Sequence, residues 1–189
     1  MTRTDVYWNA TWTTGLEHLV VTEDAAGVDA DGLVLAHFEG RGLRLHYHVQ
    51  CSPEWRAKLV EAHIEGQVTA DLRLTADGQG GWRDATGRSL DDLAGCLDVD
   101  IMTTPFTNTL PIRRLNMAVG ERQEIAVVYV KVPDLAIERA AQRYTLLARE
   151  GRNARYLYEG LGTDFKAELL VDEAGLVIDY QDLWQRIVP

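Results

Sequence analysis

A mainly β fold built on a meandering antiparallel sheet is what this sequence predicts, on three observations. Stretches of strict apolar/polar alternation recur along the chain, glycine-rich turn sequences separate them, and the longest uninterrupted apolar run, residues 125–130, is only six residues long. Many short strands at close spacing joined by glycine turns read as a meander, and a run of six falls far below the roughly 20 residues that a spanning helix needs. The 189 residues are 46% hydrophobic with mean hydropathy −0.18, enough apolar material for one good core. No internal repeat, low-complexity tract or proline- or serine-rich linker divides the chain, so a single domain over 1–189 is expected.

The elements follow in order. In residues 5–13, Val6, Trp8, Ala10 and Trp12 share one face while Asp5, Tyr7, Asn9, Thr11 and Thr13 share the other, the period-2 signature of a half-buried strand. After Asp31-Gly32 comes an apolar run, 33–38, read as a strand covered on both faces, and Glu39-Gly40-Arg41-Gly42 closes it. Residues 43–51 alternate again, with Leu43, Leu45, Tyr47, Val49 and Cys51 against Arg44, His46, His48 and Gln50. So do 67–75, with Val68, Ala70, Leu72 and Leu74 inward, bounded by Asp77-Gly78-Gln79-Gly80-Gly81 and Thr86-Gly87. A helix is predicted over 111–119: Pro111 suits a first turn, Ile112, Leu115 and Val119 recur at i, i+3 and i+7, and Gly120 stands where a C-terminal cap belongs. Residues 125–132 read as a second strand covered on both faces. In 135–150 the spacing of Ile137, Ala140, Ala141, Tyr144, Leu147 and Ala148, with Asp134 before and Gly151 after, favours a helix. The last alternation, 164–171, turns Phe165, Ala167, Leu169 and Val171 inward before Asp172-Glu173-Ala174-Gly175.

Charge narrows the function classes. Nineteen basic against 29 acidic side chains leave −10, with 8 basic and 15 acidic in residues 1–95 and 11 and 14 in 96–189. Nucleic acid and anionic membrane surfaces both require a clustered positive face, and none is present. Asp5, Trp8, Asn9 and Trp12 stand where a secretory signal would be apolar, so a cytoplasmic protein with no transmembrane segment is expected. Cys51 and Cys96 are too few for a disulfide framework or a zinc site and are expected as reduced thiols.

Several constellations bear on chemistry. His46 and His48 project from one strand face at a spacing that suits two metal ligands, but the face also carries Arg44 and Gln50 and no third ligand can be named, so solvated histidines and no metal are expected. Cys96, Asp98 and Asp100 share a face opposite Leu97, Val99 and Ile101. Two carboxylates side by side can hold a cation or supply an acid and a base, yet on the exposed face of a strand they are expected to form a structural polar cluster. Residues 103–115 pack four threonines, an Asn, two prolines and Arg113-Arg114 into one aperiodic stretch. Its hydroxyls and amide suit an irregular strand-to-helix passage, and its guanidiniums need anionic or hydroxyl partners, with Asp98 and Asp100 the internal ones. Successive helical residues point about 100° apart, so Arg114 is expected to run along the buried stripe to a carboxylate while Arg113 faces the threonines and Asn108. Fifteen aromatics, including Trp8 with Trp12 and Tyr156 with Tyr158, can pack a core or line a concavity. No nucleophile elbow, phosphate loop, dinucleotide fingerprint or His-Glu-x-x-His is found.

Gly95-Cys96-Leu97-Asp98-Val99-Asp100-Ile101 followed by Thr104-Pro105-Phe106-Thr107-Asn108-Thr109-Leu110-Pro111-Ile112-Arg113-Arg114-Leu115 resembles the signature of a bacterial family provisionally named for glycolipid binding. Tyr47-His48-Val49-Gln50-Cys51, Trp55-Arg56, Gly81-Trp82, Pro133-Asp134-Leu135, Gln142-Arg143-Tyr144, Tyr156-Leu157-Tyr158-Glu159, Val171-Asp172 and Leu183-Trp184 extend the likeness over nearly the whole chain. Asp179-Tyr180-Gln181 departs from it, where the family often has proline after the tyrosine. The resemblance implies a spiral β-roll of many short antiparallel strands wrapped around a single α-helix, similar to periplasmic lipoprotein carriers, with the helix near 111–119. It also implies that 135–150 is strand despite its spacing, 142–148 pairing with 154–160.

A non-catalytic protein is therefore expected, holding a glycolipid-like amphiphile in the apolar interior of the roll with polar residues at the mouth. The expected ligand contacts are Trp82, Asn108, Thr109, Arg113, Arg114 and Tyr144, with no cofactor. Two alternatives stand beside it. One is a small enzyme acting on a hydrophobic or sugar-bearing substrate through Asp98 or Asp100 with Arg113 or Arg114 as anion clamp. The other is an interaction domain with a dry core, for which a homodimer is possible.

Overall fold

The structure, a computed structural model, describes residues 1–67 and 69–188. Val68, expected in the 67–75 strand, lies outside the described residues. Among the described residues, fourteen strands form one sheet: β1 (Thr2–Ala10), β2 (Gly15–Asp24), β3 (Gly27–Phe38), β4 (Arg41–Cys51), β5 (Ala57–Gly66), β6 (Ala70–Ala76), β7 (Trp82–Asp84), β8 (Asp98–Ile101), β9 (Arg122–Val130), β10 (Ile137–Glu150), β11 (Asn153–Gly160), β12 (Lys166–Val171), β13 (Val177–Tyr180) and β14 (Trp184–Val188). A 3-10 turn, Phe106–Asn108, runs directly into α1 (Thr109–Leu115).

The sheet order is β7-β6-β5-β4-β3-β2-β1-β14-β13-β12-β11-β10-β9-β8. Each half of the chain is thus a meander of neighbours, and the halves join where β1 pairs antiparallel with β14, Trp8 opposite Arg186 and Ala10 opposite Trp184. The ladders are antiparallel except at the edge, where β8 lies parallel to β9 with Asp98 opposite Val127. Alternation explains most of this register. Val6, Trp8 and Ala10, Leu43 through Cys51 at every second residue, and Ala167, Leu169 and Val171 are all buried, and a one-residue slip would turn each set to water.

Bulges at Tyr7/Trp8, Gln50/Cys51, Leu146/Ala148 and Leu170/Val171 bend the ladders, and the sheet curls so that the segment leading into β8 lies against β5 and β7. The Ala57 amide donates to the Leu97 carbonyl at 3.1 Å, Gly95 to Gly80 at 2.9 Å, and the Trp82 indole to the Cys96 carbonyl at 2.8 Å. Inside the curl, Phe106, Leu110, Ile112 and Met117 are buried together with the inner faces of both meanders in one cluster. At roughly 1.5–3 kcal/mol for each large side chain removed from water, this shared core holds the helix against the sheet. No helix among the described residues is long and apolar enough to cross a membrane.

Several expectations need correction. The helix spans 109–115, not 111–119. Asn116 takes a left-handed conformation, φ 44°, and ends it, so Met117 swings into the core while Val119 is 57% exposed and Gly120 lies beyond. The run 33–38 alternates instead of being covered on both faces: Val34 and Phe38 are buried, Leu35 and His37 exposed. The next run, 125–132, sits between β8 and β10 and is at least half-buried throughout, as expected of an inner strand. Trp12 follows β1 rather than ending it, and Phe165 precedes β12 and is 42% exposed. As the family resemblance implied, 137–150 is strand, Gln142 opposite Gly160 and Arg149 opposite Ala154. Its small alanines satisfy helical and strand spacing alike, and pairing on both edges decides in favour of strand. Cys51 and Cys96 are buried free thiols.

Gly32 is required by packing. Tyr47 on β4 lies across it to reach β2, and a Cβ at Gly32 would come within 2.1 Å of the tyrosine ring. Gly32→Ala is therefore expected to lower stability by about 1–3 kcal/mol, read as the midpoint of urea unfolding. Gly42→Ala, whose Cβ would meet nothing within 4 Å, is the matched control, and equal midpoints would contradict the packing account.

Candidate ligand cavity

The aperiodic segment 103–115 enters the curl carrying polar groups, and burial obliges each to find a partner. Thr104 Oγ1 donates to Glu17 Oε1 at 2.7 Å and accepts from the Phe106 amide at 3.0 Å; the Tyr47 hydroxyl reaches the same Glu17 oxygen at 2.5 Å. Thr107 Oγ1 donates to Asp100 Oδ1 at 3.1 Å. Asn108 Nδ2 donates to the Pro105 carbonyl at 3.2 Å, and its Oδ1 accepts from the Tyr144 hydroxyl at 2.8 Å. Arg114 forks Asp98, Nε to Oδ1 at 3.0 Å and Nη2 to Oδ2 at 2.5 Å, with 14% of its side chain and none of the aspartate's exposed. A bidentate pair of this kind fixes geometry as well as charge.

Beside this segment a cavity of about 300 Å³ opens at one end of the curl. Trp12, Phe38, Tyr129, Tyr158, Phe165, Tyr180, Leu183 and Trp184 form its walls, and Asp100, Thr103, Thr104 and Asn108 provide polar groups. The aromatics brace one another. Trp12 packs edge-on against Phe38 at 5.8 Å and Trp184 at 6.4 Å between centroids, and Tyr158 lies 5.8 Å from Phe165 and 6.4 Å from Tyr180. At the mouth stand Met102, 46% exposed, and Phe165.

Burial dominates the electrostatics. It raises the Asp100 carboxyl above the usual range, against the opposing pull of hydrogen bonds from Gln142, 2.5 Å from Oδ2, and Thr107. Tyr129 is pushed up to about 12 by burial and the charge of Asp100; Tyr158 and Tyr180 rise for the same two reasons. Glu17 is pushed up to about 8 by burial, the Thr104 and Tyr47 hydroxyls offsetting part of it. Burial also raises Asp98, with the Arg114 fork and charge pulling the other way.

The structure brings together some of the residues expected to act and separates others. Asn108 and Asp100 line the cavity, and Tyr144 orients Asn108 from behind. Thr109 is buried away from it, and the Trp82 indole is held by the Cys96 carbonyl. Arg114, expected both to reach a carboxylate and to touch the ligand, forks Asp98 and does not line the cavity. Arg113, expected beside Asn108, instead points away: its guanidinium donates to the Ala174 carbonyl at 2.9 Å, meets Glu23 at 3.4 Å, and lies 4.7 Å over the Trp55 ring. Asp98 and Asp100 are not on an exposed face; Asp98 is fully buried and the Asp100 carboxyl is enclosed. The carboxylate–guanidinium cluster imagined for an enzyme is thus not assembled, since Arg114 occupies Asp98 and Arg113 leaves the site. His46 pairs with Asp31, and His48 with Asp29 and Glu61, on the outer face; no three His, Cys, Asp or Glu among the described residues are disposed to share a metal ion. Of the aromatics singled out earlier, Trp12 and Tyr158 line the cavity while Trp8 and Tyr156 pack elsewhere in the core. Sequence reasoning missed Phe38, Met102, Phe165, Tyr180 and Trp184, whose shared signal is position: each begins, ends or directly flanks a strand at the same end of the curl.

Fold and site together define a mainly β protein in which an open, curled sheet surrounds one short helix and leaves an aromatic-walled hollow at one end. The chain belongs to the family described as "Putative glycolipid-binding", whose pattern matches residues 5–186. It is similar to a DUF1089 family protein of Pseudomonas aeruginosa, solved by crystallography, with 40% identity over 90% of this chain and 92% of that one and a TM-score of 0.81. It shares its fold with a beta-barrel-like protein of Brucella abortus, of the domain of unknown function DUF1849, at 10% identity over 98% and 94% of the chains and a TM-score of 0.53. No curated protein matches it.

Arg114→Ala leaves Asp98 buried without its counter-charge and is expected to cost about 3 kcal/mol, against about 1 kcal/mol for Arg113→Ala, which loses a carbonyl bond and a half-exposed stacking contact. Urea midpoints of the two variants compare them; a larger loss for Arg113→Ala would reverse the assignment. Glu17 generates a pH dependence. Between its unfolded value near 4.5 and its folded value of about 8 the native state keeps a proton that the unfolded state has lost, so stability falls as pH rises, by up to about 1.4 kcal/mol per unit. His63, raised by Asp71, and the raised Asp98 and Asp100 act in the same direction. Glu17→Gln is expected to flatten the slope of Tm between about pH 5 and 8, and an unchanged slope would remove Glu17 as its source.

Proposed function

We propose that the protein binds one amphiphile without transforming it, the polar end seated against Asp100, Thr103 and Asn108 and the apolar end leaving over Met102 and Phe165. The observation that supports this reading is the polarity gradient of the cavity: its buried wall carries hydroxyl, amide and carboxyl groups, and its exposed rim is apolar. That is the reverse of the arrangement expected from the sequence, which placed polar groups at the mouth. At about 300 Å³ the hollow stands at the small end of ligand pockets. This suits a ring-sized headgroup or a short stretch of chain and is too small to enclose a two-chain lipid. Membership of a family named for glycolipid binding agrees with such a ligand.

Trp12 and Trp184 line the cavity and report on its occupancy. A single-chain amphiphile added below its micelle concentration is expected to change tryptophan emission saturably at 1:1 stoichiometry, and Trp12→Ala to weaken binding roughly tenfold through lost aromatic contact. Native mass spectrometry with lipid extraction of the protein from its host is the complementary measurement. A ligand-free protein that also ignores every titrated amphiphile would overturn the proposal.

A further inference from the structure

We infer that the headgroup the cavity takes is a cation, an alkylated ammonium, with Asp100 as its counter-charge and the aromatic rings as its walls; this names the polar end of the amphiphile proposed above and rests on that reading. Asp100 is a carboxyl that no cation of the described residues answers. It keeps accessible surface, lines the cavity, and accepts from neutral donors, Thr107 on Oδ1 and Gln142 on Oδ2. Its neighbour Asp98 takes both arms of Arg114, and no Lys, Arg or His among the described residues lines the cavity. A carboxylate held away from water without a counter-charge is costly, so a ligand that brings positive charge completes the site. The chain's net charge of −10 draws cations toward it.

The rings stand where such a ligand needs them. Tyr129 is the residue opposite Asp100 in the parallel ladder of β8 and β9, so both side chains leave the same face of the sheet. The charge of Asp100 is also felt by Tyr158 on β11 and Tyr180 on β13, which sets the carboxyl among three rings. Neighbouring rings of the wall meet steeply, Trp12 at 82° to Phe38 and 74° to Trp184, and Tyr158 at 68° to Tyr180, as adjoining sides of a box do. An aromatic box around one carboxylate attracts a cation through ring faces and charge together.

Other headgroups leave more unmet. A phosphate or sulfate sets negative charge against Asp100 with no cationic side chain in the lining to offset it. An uncharged headgroup leaves Asp100 unanswered and needs directed hydrogen bonds, for which Thr104 and Asn108 are already committed, the one to Glu17 and the Phe106 amide, the other to Pro105 and Tyr144. A primary ammonium carries three N–H donors, more than a carboxyl that already accepts from Thr107 and Gln142 can serve. An alkylated nitrogen spreads its charge over methyl groups that rest on ring faces and leaves no donor to be satisfied.

The experiment is calorimetric titration of the intact protein with octyltrimethylammonium, octylammonium, octyl glucoside and octyl sulfate, all below their micelle concentrations. Octyltrimethylammonium is expected to bind at least tenfold more tightly than octyl glucoside and ahead of octylammonium, with octyl sulfate weakest. Asp100→Asn keeps the shape of the side chain and removes its charge; the preference for octyltrimethylammonium over octyl glucoside should fall about tenfold, and octyl sulfate should gain. Tyr129→Leu removes a half-buried ring beside the carboxyl and keeps an apolar side chain, so it tests the same box if Asp100→Asn fails to fold, and should lower that preference about threefold. Octyl glucoside or octylammonium bound as tightly as octyltrimethylammonium, or a preference unchanged in the variants, overturns the assignment and leaves the amphiphile reading standing; binding of none of the four sinks both.

Discussion

The fork between Arg114 and Asp98 is the interaction on which the arrangement depends. It joins the last turn of the only helix among the described residues to β8, the strand at the parallel edge of the sheet. Since the guanidinium also lies at the negative end of the helix dipole, one side chain sets both the orientation of α1 and its depth in the curl. Every residue between the fork and Ile101 is then placed by consequence, including Thr104 against Glu17, Thr107 against Asp100 and Asn108 against Tyr144.

Filling the inside of a curled sheet with a threonine-rich segment, where Leu or Val would serve the hydrophobic effect better, obliges the surrounding strands to supply polar partners. Glu17, Tyr47, Asp98, Asp100 and Tyr144 come from four strands, β2, β4, β8 and β10, and converge on 13 consecutive residues. Those bonds leave the segment little freedom to shift. The Thr103 hydroxyl is an exception, buried without a hydrogen-bond partner among the described residues in a side chain that borders the hollow.

Much of the sheet was legible in the residues themselves, because alternation such as Leu43, Leu45, Tyr47, Val49 and Cys51 has one stable way to face a core. The segment 137–150 was not: alanine is small enough to sit on either face of either element, and long-range pairing with β9 and β11 decides it. The helix was placed to within a turn, its end misjudged because a left-handed Asn116 was outweighed by Gly120. For the site, Asn108 could be singled out because an aperiodic polar stretch is conspicuous, whereas Asp100 was legible only as half of a carboxylate pair on a strand. Phe38, Tyr180 and Trp184 could not, since each is an ordinary strand-end aromatic whose convergence exists only after the sheet curls.

The pairing of β1 with β14 has a bearing on biosynthesis. Ala10 ends β1 and Trp184 begins β14, 174 residues later. At about 5–20 residues per second a ribosome takes roughly 10–35 s to cover that distance, and throughout it β1 shows a row of unpaired amides and carbonyls to any other chain nearby. The finished molecule hides that row in the middle of its sheet and leaves as its edges the short strands β7 and β8. The period of greatest risk of intermolecular strand pairing is therefore the nascent state, and a holdase that shields residues 2–10 would act where the fold has no protection of its own.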